Sequence, residues 1–555
     1  MKMIEKEIEN QNKGTASPQE NLPALPKALF KKPWLSLLSV LAAGVFLMLT
    51  WWKIDVFGIR WPISVVIISL LYILNAFLQE KKIPTSSWIL IAIAILTASI
   101  HFFRVEVMSD MFAFMVSALC LLLLSADFLN GQWWQYRIRE YLKQALRAVA
   151  AFFVGLPTML SQLNSDRNSK DGNGTQGKKI ALSIIKGVLI AVPLLLIFTF
   201  LFSVADEIFE NRLDAVVQWM RTQFLQDLLG RVLLTLFFSW LAAAGLWFLV
   251  SNKQKPLKIE PDEAFFKPFL GMTETSIVLV SLNLLFAFFL LIQFQYFFAG
   301  KANISLEGFT YAEYARRGFV ELLWAASIAG LVFYALAAVT KRESKARQTA
   351  FSILSSLLLV QVGVILVASY QRILLYEDAY GLTHVRLIPQ IFTFFLAAIL
   401  LALVVMEWRK QFKRLALVLL VAFILFTITV AGINVDQRIA RVNIERAIEG
   451  KKLDYEYLVY QLSDDAVPYM FEKIESGDLP DGIRANLTKV LVCRDSQEPS
   501  RQRPWLENNF PRQKAAEYYA SRQDLLSQYP LEVKEFKGAQ GFQIGETFLY
   551  CGYSD

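Results

Sequence analysis

RKQFKRLALVLLVAFILFTITVAGIN, residues 409–434, opens with four cations and continues as an apolar run that carries no charge before Asn434. A helix rises about 1.5 Å per residue, so such a run is long enough to cross a hydrocarbon core of about 30 Å. Only a helix satisfies its own backbone there without closing into a barrel. The same unit recurs upstream, and counting runs of about 20 mostly apolar residues gives about eleven spans. They fall near 34–52, 61–78, 86–103, 110–129, 180–204, 231–250, 273–298, 319–340, 350–372, 387–406 and 415–433. A chain that is 55% hydrophobic and 14% aromatic lies outside the range of soluble domains. The fold class is therefore an all-α polytopic membrane protein.

The cations set an orientation. Lys31, Lys32, Lys81, Lys82, Arg137, Arg139, Lys143, Lys253, Lys255, Arg342, Lys345, Arg409 and Lys410 all fall on alternate loops. The opposite loops hold far fewer, among them Arg60, Arg104, Arg212, Arg316, Arg317, Arg372 and Arg386. The richer side is expected to face the cytoplasm, which places the N-terminus inside and, with an odd span count, the polar tail outside. The net charge of +8 is thus spread along span ends and makes no nucleic-acid patch. The first run starts at Trp34 without an A-x-A-like site, so it reads as a span and not as a cleaved signal.

Five regions follow: a cytoplasmic tail (1–33), a four-helix transmembrane group (34–129), an interfacial helix with a flexible linker (130–179), a seven-helix core (180–433) and an extracytoplasmic, mainly helical domain (434–555). Within the third, 132–160 carries Trp133, Trp134 and Tyr136 and then basic residues at helical spacing, which suits a helix lying in the inner interface. Residues 206–230 have the stripe of an amphipathic helix on the outer face. In the tail, Asp454, Asp465 and Asp481 each precede an apolar-periodic run and are candidate caps, and 542–553 has the aromatic and glycine content of a hairpin.

Cys120 sits inside a span as a small apolar filler. Cys493 and Cys551 fall in the tail, where an oxidising compartment makes them candidates for a disulfide; two independent thiols is the other reading. His101 and His384 are the only histidines, and no cluster has metal-ligand spacing, so neither metal nor cofactor is expected.

Charge near the outer face concentrates in two segments. GFTYAEYARRGFVEL (308–322) contains Thr310 and Glu313 at capping-box spacing, and Glu313 and Arg317 four apart on one helix face. In YEDAYGLTHVR (376–386), Gly381 marks the end of the ninth span helix and Thr383 the cap of the tenth. Glu377 and Asp378 then occupy a last turn, where the helix dipole disfavours carboxylates, so their partners must come from elsewhere. The expected cluster is Glu313, Arg316, Arg317, Glu321, Glu377, Asp378 and Arg386, either a latch between loops or a site for a small anionic or sugar-like ligand.

No ionisable residue sits near a span midpoint, and Asp127, Lys186, Glu274 and Glu321 all lie close to an end. Ion-coupled transport places such groups mid-membrane. A polyprenyl-phosphate glycosyltransferase would carry acids in a long first outer loop, whereas 53–60 holds only Asp55; Asp206, Glu207 and Glu210 are a weak substitute. No catalytic residues are assigned.

These segments, with NIERA and LDYEYLVYQLSDDAVP (443–468), resemble the bacterial membrane proteins grouped as domain of unknown function 4173. The resemblance implies a bacterial inner-membrane protein without an assigned activity. The functional expectation is a non-enzymatic envelope sensor or scaffold that meets a protein partner or ligand on its outer face. A transporter of a neutral or anionic solute is the alternative, and a glycosyltransferase-like enzyme comes third.

Overall fold

A computed structural model of the chain describes residues 30–52, 58–168, 187, 191, 194–195, 198–199, 201–203, 206, 209, 212, 223–254, 268–298, 318–497, 508–533, 539–545 and 547–553. Among them, ten helices are long and apolar enough to cross a membrane. These are Pro33–Trp51 (α1), Arg60–Leu78 (α2), Thr85–Phe103 (α3), Val107–Asp127 (α4), Gln223–Gln254 (α6), Met272–Phe298 (α7), Phe319–Val339 (α8), Lys345–Tyr380 (α9), His384–Arg409 (α10) and Leu415–Ile433 (α11), with Ile138–Asn168 (α5) between the fourth and fifth. Most of the expected span at 180–204 and of the amphipathic stretch at 206–230 lies outside the described residues.

The spans pack as two groups joined by one helix. Val40, Val65, Ala94, Val116 and Leu246 build one core from α1, α2, α3, α4 and α6. Leu279, Phe333, Leu358 and Leu400 build a second from α7 to α10. The helix α11 serves both, sending Leu420 and Ile424 into the first and Leu415 into the second. Small residues let helices approach closely. A Cβ on Gly44 of α1 would lie 2.9 Å from the Ser239 nitrogen and the Thr235 carbonyl of α6. Outward, Phe77, Leu284 and Leu331 stay 69%, 66% and 67% exposed, an apolar surface that lipid covers. The helix α5 packs on α6, where the Trp240 indole donates to the Phe152 carbonyl at 2.6 Å. Its opposite face leaves Leu142, Leu146 and Val149 exposed.

At 36 residues α9 is about 54 Å long, well beyond the hydrocarbon thickness, so part of it stands clear of the membrane core. Asn434, in a left-handed conformation that asparagine tolerates, then turns the chain from α11 into the C-terminal domain. That domain holds Val435–Ile448 (α12), Tyr455–Tyr460 (α13), Val467–Glu475 (α14), Asp481–Gln497 (α15), Phe510–Ser521 (α16) and Gln523–Leu526 (α17). An antiparallel sheet follows, Glu532–Val533 (β1), Ala539–Ile544 (β2) and Thr547–Tyr553 (β3), in the order β1-β2-β3. The aromatic-rich stretch 542–553 thus closes as a hairpin, with Phe542 opposite Leu549 and Ile544 opposite Thr547.

The domain's apolar core continues into the spans. Ile439, Leu458, Met470 and Phe471 share one cluster with Leu387 and Ile391 of α10 and Phe426 and Val430 of α11. Each fully buried side chain of this kind contributes roughly 1.5–3 kcal/mol, so the domain is seated on the bundle and not tethered beside it. A disulfide joins Cys493 of α15 to Cys551 of β3, with Cα atoms 4.8 Å apart. Cys120 is a free, buried thiol.

The three expected caps divide. Asp454 caps α13, accepting from the Tyr457 amide at 3.0 Å. Asp481 is the first residue inside α15, where a carboxylate still favours the helix dipole. Asp465 is drawn into a tertiary contact instead, and the Ser463 hydroxyl accepts its amide at 3.3 Å.

Candidate functional site

Among the described residues, a dense buried polar constellation lies where the domain meets the spans. Arg104, Val105 and Glu106 are the whole link between α3 and α4, so their charges are held at one end of the bundle. Glu106 caps α4, accepting from the Met108 and Ser109 amides at 2.7 and 2.6 Å. Burial pushes its carboxyl above the ordinary range, against those hydrogen bonds. The Arg104 guanidinium donates to the Ala431 carbonyl of α11 at 2.7 Å and stands 3.6 Å from the Asp465 carboxylate. The Val105 amide donates to the same carboxylate at 2.8 Å.

His384, the first residue of α10, is the hub. Its Nε2 lies 2.5 Å from Asp436 Oδ1 and 3.8 Å from Glu106 Oε1, and its Nδ1 lies 2.7 Å from the Tyr457 hydroxyl. The same hydroxyl accepts the His384 amide at 3.0 Å. Thr383, expected to cap α10, makes no side-chain cap bond, and a tyrosine of the domain does that work across the interface. The second oxygen of Asp436 accepts the Ser463 amide at 2.6 Å. Burial raises the Asp465 carboxyl to about 6, opposed by the Val105 amide and Arg104, and burial likewise raises the Tyr457 hydroxyl. Three nearly buried carboxylates, one imidazole and one guanidinium thus bind two spanning helices to the domain. These groups spend their bonds on backbone amides and on one another across the seam, the geometry of a polar joint. Among the described residues no group of His, Cys, Asp or Glu side chains is arranged to hold a metal ion.

Of the expected outer cluster, Glu313, Arg316 and Arg317 lie outside the described residues. Glu321 is exposed in the first turn of α8, and Asp378 is exposed at the end of α9. Glu377 accepts from the Gln390 amide of α10 at 2.6 Å. Arg386 is buried, donates to the Gly381 carbonyl and stacks 4.0 Å above the Tyr376 ring. Among the described residues neither Glu377 nor Asp378 forms an ion pair with Arg386: a neutral amide takes the first carboxylate and a backbone carbonyl takes the guanidinium. Gly381 does end α9, at φ +83°, and Asn443 clamps the turn by bonding both the amide and the carbonyl of Leu382 at 2.8 Å. Of the hub residues, Asp465 was legible only as a helix cap and His384 only as a histidine without metal-ligand company, and Glu106 and Asp436 carried no reading. Their one local signal was two opposite charges, Arg104 and Glu106, in the three-residue link between two helices.

A family profile described as Domain of unknown function (DUF4153) matches residues 91–472. The chain belongs to this family. Domain of unknown function 4173, suggested by the loop segments, is not the one whose profile matches. The match to DUF4153 runs from α3 to α14 and so covers the whole joint, spans and domain side alike. No curated protein and no solved structure matches the chain. The family description carries no activity, and this DUF4153 member is a multi-pass membrane protein on the strength of its ten apolar helices.

Proposed function

We propose that the protein is a non-enzymatic sensor or scaffold of the bacterial inner membrane, with its N-terminus in the cytoplasm and its C-terminal domain outside. One observation carries the reading: the domain is keyed to the spans through Asp436 on His384 and Asp465 on Arg104 and Val105, and shares their apolar core. A partner or small anionic or sugar-like ligand bound to the domain would therefore load α4, α10 and α11 directly. Two features support the sidedness. The cations gather on the opposite loops, and the Cys493–Cys551 disulfide belongs in an oxidising compartment.

Solute transport is the weaker reading. The cavity among α4, α8, α10 and α11, about 460 Å³, is lined by Phe112, Leu323, Trp324, Phe392, Phe423 and Phe426, with Ser327 as its one polar side chain. Such a lining suits a lipid chain and not a hydrated solute. Reporter fusions test the sidedness on which the reading depends. A periplasm-dependent reporter placed after Asn434 should be active, and the same reporter in the 340–345 loop silent. The reverse pattern would overturn the proposal.

A further inference from the structure

Beside the joint, the domain and the end of α9 enclose a second, polar crevice of about 920 Å³. Its size fits a sugar or a lipid headgroup. Arg446, Lys451 and Lys452 line it with Asp454 and Glu456, and the Tyr380 ring, 53% exposed, stands at its α9 side. Among the described residues Lys451, Lys452 and Glu456 have no ion-pair partner, so opposite charges share one concave space without neutralising each other. Arg446 is committed in part, donating to the Asp378 carbonyl.

We infer that this crevice binds a phosphorylated polyol, either a free sugar phosphate or the phosphodiester headgroup of a lipid. Ammonium and guanidinium groups are the usual partners of phosphate oxygens. The carboxylates argue against a bare phosphate, which Glu456 would repel, and for a ligand that also presents hydroxyl donors. Glu456 and the second oxygen of Asp454, which is not the one that caps α13, are placed to accept such donors. Asn486, whose amide reaches the Tyr455 hydroxyl at 3.5 Å, adds both polarities. Tyr380 offers an aromatic face to the C–H side of a polyol. It also ends a spanning helix, and tyrosines are enriched where such helices meet headgroups. The opposite wall is Ile544, Gly545 and Leu549 of the hairpin, and β3 is bound to α15 by the disulfide. A ligand here would touch a spanning helix and the domain together. The inference deepens the sensor reading but rests on it only for which side of the membrane supplies the ligand.

The test uses the full chain. In detergent, isothermal titration with glucose 6-phosphate is compared with glucose and with inorganic phosphate. In nanodiscs, phosphatidylglycerol is compared with phosphatidylcholine by native mass spectrometry of retained lipid. Binding of glucose 6-phosphate places the source in solution, and selective retention of phosphatidylglycerol places it in the bilayer; either supports the inference. The double substitution Lys451→Gln with Lys452→Gln should weaken the ligand that binds by roughly tenfold or more. Glu456→Gln should weaken glucose 6-phosphate relative to inorganic phosphate, whose binding should hold or tighten once the repelling carboxylate is gone. All three side chains are exposed or half-buried, and an unchanged unfolding temperature confirms the fold of each variant. The inference is overturned if neither probe binds, if inorganic phosphate binds as well as the sugar phosphate, or if the lysine variant binds as tightly as the parent. Because the titration in detergent is blind to sidedness, its failure and the failure of the reporter map are separate results.

Discussion

Removing the Asp436 carboxylate should open the seam between domain and spans. That side chain is 1% exposed and holds two short bonds, to His384 Nε2 at 2.5 Å and to the Ser463 amide at 2.6 Å. Hydrogen bonds to a charged group are worth about 1.5–3 kcal/mol each, so Asp436→Ala should cost about 3–5 kcal/mol once some water entry is allowed for. Hydrogen exchange reads this directly, because the Ser463 amide loses its acceptor and the surrounding turn opens with the seam. Its exchange should speed up at least about a hundredfold. His384→Ala should have a smaller effect of the same kind, since Asp436 keeps the Ser463 bond. In a double-mutant cycle the two changes should couple by about 1.5–3 kcal/mol. Exchange that changes by less than about threefold, or strictly additive effects, would refute the idea that this pair locks the domain onto α10.

Other outcomes follow from the same geometry. The folded-state pKa of Asp465, about 6, lies above its ordinary 3.8, so the folded form retains the proton while the unfolded form has lost it. Its stabilising contribution is therefore complete below the unfolded value and disappears as pH rises through about 6, up to about 3 kcal/mol. Thermal unfolding of the parent should fall between pH 4 and 7 relative to Asp465→Asn, and parallel curves would count against the shift. Replacing both Cys493 and Cys551 by serine should destabilise the domain by roughly 2–4 kcal/mol. Non-reducing electrophoresis of the parent should give a band that shifts on reduction, and full alkylation of an unreduced sample would contradict the bond. Gly381→Ala should cost about 1–3 kcal/mol, because φ is +83° and the new Cβ would lie 2.5 Å from Asn443 Oδ1. An unchanged unfolding midpoint would show that the α9–α10 turn is looser than its contacts imply.

The helical end of α9 shows how far local reading reaches. Gly381 was legible as a helix terminus because a left-handed turn is a property of one residue. Thr383 was legible as the start of α10 but not as a residue without a cap bond, because the competing acceptor, Tyr457, arrives from a different part of the chain. Glu377 was correctly read as needing a partner away from its own helix; that the partner is Gln390, an amide, depended on how α9 and α10 pack.

Apolar length and the placement of cations were decided residue by residue along 409–434 and its repeats, since a bilayer tests each segment separately for its hydrophobic thickness and flanking charge. The spans came from that one-dimensional rule, and the helices of the tail from caps and apolar periodicity, which are equally local. Which charges meet was settled only by tertiary structure: Val105 and Asp465 are 360 residues apart, yet they bond at 2.8 Å. Burial in that joint, and not any spacing in the chain, raises the Asp465 carboxyl and makes His384 a hub, because desolvation exists only once the domain has closed over the ends of the helices.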